Sequence, residues 1–119
     1  ACTKASCEWN KHMLAPKAIV DAAQRAAHAA SSPAQVILFG SYARGDADEG
    51  SDLDLLVIED EVPDKAAEYV RLHRAIGPMG VGVDVVVFSR DEFVRRSQVR
   101  GTLPYWAAKE GKPIYDASL

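Results

Sequence analysis

Three short apolar runs limit what this chain can fold into. Residues 35–39, 53–58 and 81–88 are each of strand length, and glycine, proline or polar turn residues bound each of them. The segments between them have helical spacing instead. Ile19, Ala22, Ala23, Ala26, Ala27 and Ala30 recur on one face of residues 15–30, Pro16 sits where a first turn tolerates it, and Ser31-Ser32-Pro33 ends the pattern. A short helix is expected to begin over residues 42–45. A second long helix is expected over residues 65–76, broken by Gly77-Pro78-Met79-Gly80. Ser89 is placed to cap a helix starting at Asp91, with Glu92 completing a capping box. Thr102 is placed to cap a last helix through Glu110 that Gly111 stops, and Ile114-Tyr115 suits a small edge strand. Helices alternating with strands predict an α/β (α+β) domain in two or three layers.

Composition narrows the function classes. With 48% hydrophobic and 26% charged residues in 119, the balance suits one domain with one core. No apolar run approaches the roughly 20 residues of a membrane helix. A net charge of −3 argues against a general nucleic-acid binder and leaves room for a small nucleotide or a protein as partner. Cys2 and Cys7 both lie in the first seven residues, so no disulfide framework is expected and a cytoplasmic setting fits. Residues 1–13 lack apolar periodicity and a secretory h-region, and His12-Met13 fits a vector-derived junction or a native tail equally. The expected organisation is therefore an N-terminal tail over 1–13 and a single domain over 14–119.

Chemistry concentrates between Gly40 and Asp54. On a strand, side chains two apart point the same way, so Asp52 and Asp54 share a face while Leu53, Leu55 and Val57 turn toward a core. Asp84 lies within Val83-Asp84-Val85-Val86-Val87, where a carboxylate is expensive to bury unpaired. If the third strand lies beside the second, Asp84 joins the other two. Three carboxylates that close repel and raise one another's pKa unless a cation sits among them. Mg²⁺ fits, and two such ions about 4 Å apart can clamp the attacking and leaving oxygens of an in-line displacement. Gly40 directly after a strand lets a ligand approach the backbone, and amides at the next helix start would face it. Ser41 offers a hydroxyl to a phosphate oxygen, and Arg44 a planar fork one turn on. Asp-x-Asp alone also suits an exposed polar strand face, and Gly-Ser alone an ordinary turn. The combination points to metal-dependent phosphoryl or nucleotidyl transfer.

The spelling Phe39-Gly40-Ser41-Tyr42-Ala43-Arg44-Gly45, followed by Ser51-Asp52-Leu53-Asp54-Leu55-Leu56-Val57, closely resembles the DNA polymerase β-like nucleotidyltransferase superfamily. Within it, the small size and the Gly-Ser-x-Ala-Arg-Gly spelling look like the minimal nucleotidyltransferase (MNT) domains encoded beside HEPN-domain proteins, many of them read as antitoxins. The likeness spans about residues 15–116. It implies a polymerase β-like fold: a small, mixed, mostly antiparallel sheet with helices packed on one face. By the resemblance, Gly40 and Ser41 grip the nucleotide's phosphates with Arg44 and Ser51 beside them, Asp52 and Asp54 are paired metal ligands, and Asp84 is the third acid, acting as metal ligand or base. The implied activity moves AMP from ATP to a hydroxyl, with Mg²⁺ as cofactor and a tyrosine of a HEPN toxin as acceptor. A non-catalytic antitoxin that only covers its partner is the alternative. Transfer to a small molecule such as an aminoglycoside is a third reading, and those enzymes usually carry an added acceptor domain. An open cleft completed by a partner or by a second copy of the chain is expected.

Other residues have plainer readings. His12, His28 and His73 are not at zinc spacing and are expected to be structural or solvated. Arg90, Arg95, Arg96 and Arg100 read as a solvated helix face. Tyr105 and Trp106 suit either core packing or an interface. Asp46, Asp48 and Glu49 read as loop solvation.

Overall fold

The computed structural model describes residues 14–116. Along the chain it runs α1 (Pro16–Ala29), β1 (Ala34–Phe39), α2 (Ser41–Arg44), β2 (Leu53–Glu59), α3 (Lys65–Ile76), β3 (Val83–Ser89), α4 (Arg90–Ser97), α5 (Leu103–Glu110) and β4 (Lys112–Asp116). The four strands form one mixed sheet in the order β3-β2-β1-β4. β1 is antiparallel to both β2 and β4, and β2 is parallel to β3. The expected Cys2, Cys7 and His12 readings lie outside the described residues.

Strand alternation splits the core in two. Val36, Leu38, Leu53, Leu55, Val57, Val85 and Val87 face α1 and α3, where Ile19, Ala22, Ala23, Ala26, Leu72 and Ile76 meet them. The small alanine side chains of α1 let it lie close to the sheet. Each fully buried Leu or Val here contributes about 1.5–3 kcal/mol. Ile37, Leu56, Ile58 and Phe88 face the other way, against Ala107 of α5, with Phe93 of α4 and Leu103 packed around them. Helices therefore cover both faces, and the expectation of helices on one face is corrected. The reason is the second apolar set: Leu56, Ile58 and Phe88 need a cover that α1 and α3 cannot reach.

Local signals set most boundaries. Pro16 occupies the first turn of α1, and Asp64 caps α3 by accepting from the Ala67 amide at 3.1 Å. Thr102 caps α5 by accepting from the Tyr105 amide. Ser89 accepts from the Glu92 amide at 3.2 Å, but the reciprocal half of the box is not made. The Glu92 carboxylate turns instead to Lys65 and Arg96, at 3.0 and 3.5 Å. Gly111 stops α5 with ordinary extended backbone; what demands glycine there is space, since a Cβ would overlap the Ala107 carbonyl and Ile37.

A buried carboxyl pair stands at the end of β2 remote from Asp54. Glu59 is fully buried and Glu68 nearly so. Ser31 donates its amide and hydroxyl to Glu68 at 2.8 and 3.0 Å, Ser32 donates its hydroxyl to Glu59 at 3.4 Å, and Arg71 pairs with Glu68 at 3.2 Å. Burial, then the hydrogen bond and charge of Glu68, push Glu59 up to about 7. For Glu68, burial works upward, but the bonds from Glu59 and Ser31 and the Arg71 charge leave it below its usual value. One proton shared between the two carboxyls accounts for both directions. A raised folded-state pKa means that the stabilisation is complete below the usual glutamate pKa and is lost as pH rises through about 7. Glu68 acts oppositely but only at acid pH, below its usual value. Urea unfolding should therefore show wild-type stability falling by about 1 kcal/mol from about pH 6 to about pH 8. Glu59→Gln, which keeps a donor toward Glu68, should flatten that slope. An unchanged slope would remove Glu59 as its source.

Candidate active site

The site is built where the C-terminal end of β1 meets the N-terminal ends of β2 and β3. Phe39 pairs with Asp54 across the antiparallel β1–β2 ladder, and Asp54 pairs with Asp84 across the parallel β2–β3 ladder. Partners in register point to the same face, so Asp54 and Asp84 stand side by side. Asp52 precedes β2 by one residue. The Leu53 amide donates to the Gly82 carbonyl at 2.8 Å, which ties the start of β2 to the approach of β3. Leu53 and Leu55, fully buried on the reverse face, hold the strand that carries the acids.

Two glycines make room for these carboxylates. Gly40 has φ 74° and ψ −156°, backbone that is essentially glycine-only. A Cβ built on it would overlap the Asp54 carboxylate. A Cβ on Gly82 would overlap the Asp52 carboxylate. Each acid is thus seated against bare backbone. The close packing under Asp52 was not among the sequence expectations; its signal was Gly80-Val81-Gly82 just before the strand.

α2 follows Gly40 directly. Its first residue is Ser41, and the Gly40 carbonyl accepts from the Ala43 and Arg44 amides, both at 3.1 Å. Gly45 leaves α2 in the left-handed region at φ 84°. Arg44 is half-exposed and pairs with Asp46 at 3.3 Å. It is near enough to Asp54 for its charge to pull that carboxyl downward. The expectation that Asp46 only solvates a loop is therefore refined: it holds Arg44. Ser51 closes the loop before β2, accepting from the Asp48 amide at 2.9 Å and donating to Asp48 Oδ1 at 3.2 Å, while the Gly50 amide donates to the same carboxylate. That Asp-centred turn sets the entry of Asp52 and Asp54.

The electrostatics follow from crowding. Burial first, then the charge and hydrogen bond of Asp84, then the Asp52 charge, push the Asp54 carboxyl up to about 6, against the pull of Arg44. A donor set of like charges with one member holding a proton at mildly acid pH suits a cation. Among the described residues no three acidic, histidine or cysteine side chains close on one point as a finished cage. Mg²⁺ does not require one, since it commonly takes one or two carboxylates and completes its shell with water and substrate phosphates. Asp54 with Asp84 or Asp52 could supply that share.

The remaining candidates stand away from this cluster. His28 packs edge-on against Tyr115, with ring centroids 6.0 Å apart, and His73 lies against Tyr69. Arg90, Arg95 and Arg96 pair with Asp60, Asp91 and Glu92, as a solvated face would. Trp106 is 44% exposed and meets Tyr105 edge-on, so its indole covers little core.

The family model for the nucleotidyltransferase domain matches residues 20–108. The chain belongs to the nucleotidyltransferase domain family. A 29-residue segment is 66% identical to the "Putative protein adenylyltransferase" of Methanocaldococcus jannaschii, covering 24% of this chain and 29% of that relative's length. The fold resembles the crystal structure of a "putative nucleotidyltransferase" from Sulfolobus solfataricus, with a TM-score of 0.60 and 20% identity over 98% of this chain and 91% of that one. That likeness bears out the mixed-sheet nucleotidyltransferase fold. No helix among the described residues is long and apolar enough to cross a membrane.

Proposed function

We propose that this nucleotidyltransferase moves AMP from ATP to a protein hydroxyl, the acceptor being a tyrosine of a HEPN-type partner that the transfer silences in the cytoplasm. The observation that carries the reading is the register of Asp54 with Asp84, directly beside a Gly40 turn that has no room for a side chain. In this reading Gly40 and Ser41 receive the triphosphate, with Arg44 and Ser51 at its rim. Mg²⁺ ions, each held by Asp54 with Asp84 or with Asp52, would offset the phosphate charge and the mutual repulsion of the carboxylates. The acceptor oxygen forms its bond to the α-phosphorus as the bond to the bridging oxygen of pyrophosphate breaks. The hydroxyl proton passes to Asp84, which stands on the edge strand β3. Pyrophosphate leaves with its electron pair.

The likeness to the putative protein adenylyltransferase of Methanocaldococcus jannaschii supports a protein acceptor over a small molecule. The test is incubation with α-labelled ATP, Mg²⁺ and a HEPN-domain partner. Label should appear on the partner's tyrosine and fall by on the order of 10³-fold in Asp52→Ala, as loss of a metal ligand requires. Full neutralisation of the partner by Asp52→Ala without label would establish an antitoxin that acts by binding alone.

A further inference from the structure

β3 is an edge strand, paired only with β2, and it carries Asp84. Its two ends differ. At the C-terminal end Lys65 of α3 crosses the edge: its Nζ lies 4.4 Å from the Phe88 ring centroid and 3.0 Å from Glu92 of α4. No such strap crosses the N-terminal half, from Val83 to Val86, among the described residues. The open half is therefore the half that holds Asp84. Beneath it, on the face opposite Asp84, a cavity of about 550 Å³ is lined by His73, Arg74, Gly77, Met79, Gly82 and Val83. Its lining holds no carboxylate. Arg74 makes no ion pair among the described residues, and it also borders a second groove with Val70 and Arg71. The two sides of the open edge thus carry opposite charge: acids on the Asp84 face, an unpaired guanidinium on the other.

Resting on the protein-hydroxyl reading above, we infer that the acceptor is a short extended segment that adds as a strand to the open half of β3. Its hydroxyl-bearing residue stands opposite Asp84, and acidic residues on either side of it lie over Arg74 and His73. Strand addition supplies this alternation by itself, because successive side chains of an added strand point to opposite faces. A residue opposite Asp84 points toward the carboxylates and the phosphate turn. Its two neighbours point into the groove. An acidic side chain on the Asp84 face would meet three carboxylates and be repelled, whereas on the groove face it meets Arg74. Arg74 is then a specificity-determining residue for the acceptor, and backbone pairing supplies the rest.

The test uses short synthetic peptides with a central tyrosine flanked by aspartates or by lysines, with α-labelled ATP and Mg²⁺. The acidic peptide should be labelled about tenfold faster, as expected for complementary charge at a rim. Arg74→Glu should invert the preference, an outcome that misfolding cannot produce. N-methylation of the acidic peptide, one amide at a time, should abolish labelling at alternate residues only. Equal labelling of both peptides, a preference that survives Arg74→Glu, indifference to N-methylation, or labelling of a protein partner with no peptide labelled would each overturn the inference. Failure of the transferase reading looks different: no label reaches any acceptor, and ATP with Mg²⁺ gives no thermal shift.

Discussion

Asp54→Asn should lose nucleotide transfer by on the order of 10³-fold or more, yet the ligand-free variant should be at least as stable as the wild type. The two effects have one cause. Asp54 is partly removed from water, stands beside Asp84 and feels the Asp52 charge, so its carboxyl is pushed up to about 6. A folded-state pKa above the usual 3.8 means that the ligand-free fold is most stable below that value and loses stability as pH rises through about 6. Asparagine is neutral and nearly isosteric, so it removes the repulsion without vacating the space. Mg²⁺ reverses the sign, since it competes with the proton and stabilises the wild type more at about pH 8 than at about pH 5. Thermal melts at both pH values, with and without Mg²⁺ and ATP, test this beside the label assay. A variant that melts lower than the wild type at high pH without Mg²⁺ would show that the acids attract structure rather than strain it.

The architecture was readable because its signals are local. The alanine face of α1, the break at residues 77–80, and the caps at Ser89 and Thr102 each act within a few residues. The observed elements start or end within about two residues of the sequence-based bounds, as helix and strand ends ordinarily scatter. Asp52, Asp54 and Asp84 were marked by residue type and by the two-residue period, and the register of β2 with β3 brings Asp54 and Asp84 together. What escaped the sequence depends on partners distant along the chain. Glu59 reads as the last residue before a turn until the fold sets Glu68 and Ser31 beside it. Leu56, Ile58 and Phe88 read as generic strand residues, and only the return of α5 across them shows that both faces are covered. Glu92 fits a capping box by spacing, but Lys65, far off in sequence, competes for its carboxylate.

Gly40→Ala and Gly82→Ala should separate strain from seating at the two acids. Gly40 lies in backbone that an alanine adopts at a cost of about 1–3 kcal/mol, and its new methyl would also run into Asp54. Asp84 stands beside Asp54 in register, so an Asp54 carboxylate displaced that way meets added repulsion. Gly40→Ala should therefore lower stability by at least that amount and abolish transfer. Gly82 has no left-handed φ, and its methyl meets the outer end of an exposed carboxylate, which can swing away. Gly82→Ala should leave the urea midpoint nearly unchanged, because rotating an exposed side chain costs only a few tenths of a kcal/mol. It should still weaken Mg²⁺-dependent transfer by about 10–100-fold, the usual effect of misplacing one metal ligand's support. Raising Mg²⁺ should recover part of that loss in Gly82→Ala and none of it in Gly40→Ala, because only the first leaves the Asp54–Asp84 pair in place. Full activity in Gly82→Ala would mean that Asp52 does not hold the ion from where it lies, and the metal would then rest on Asp54 and Asp84 alone.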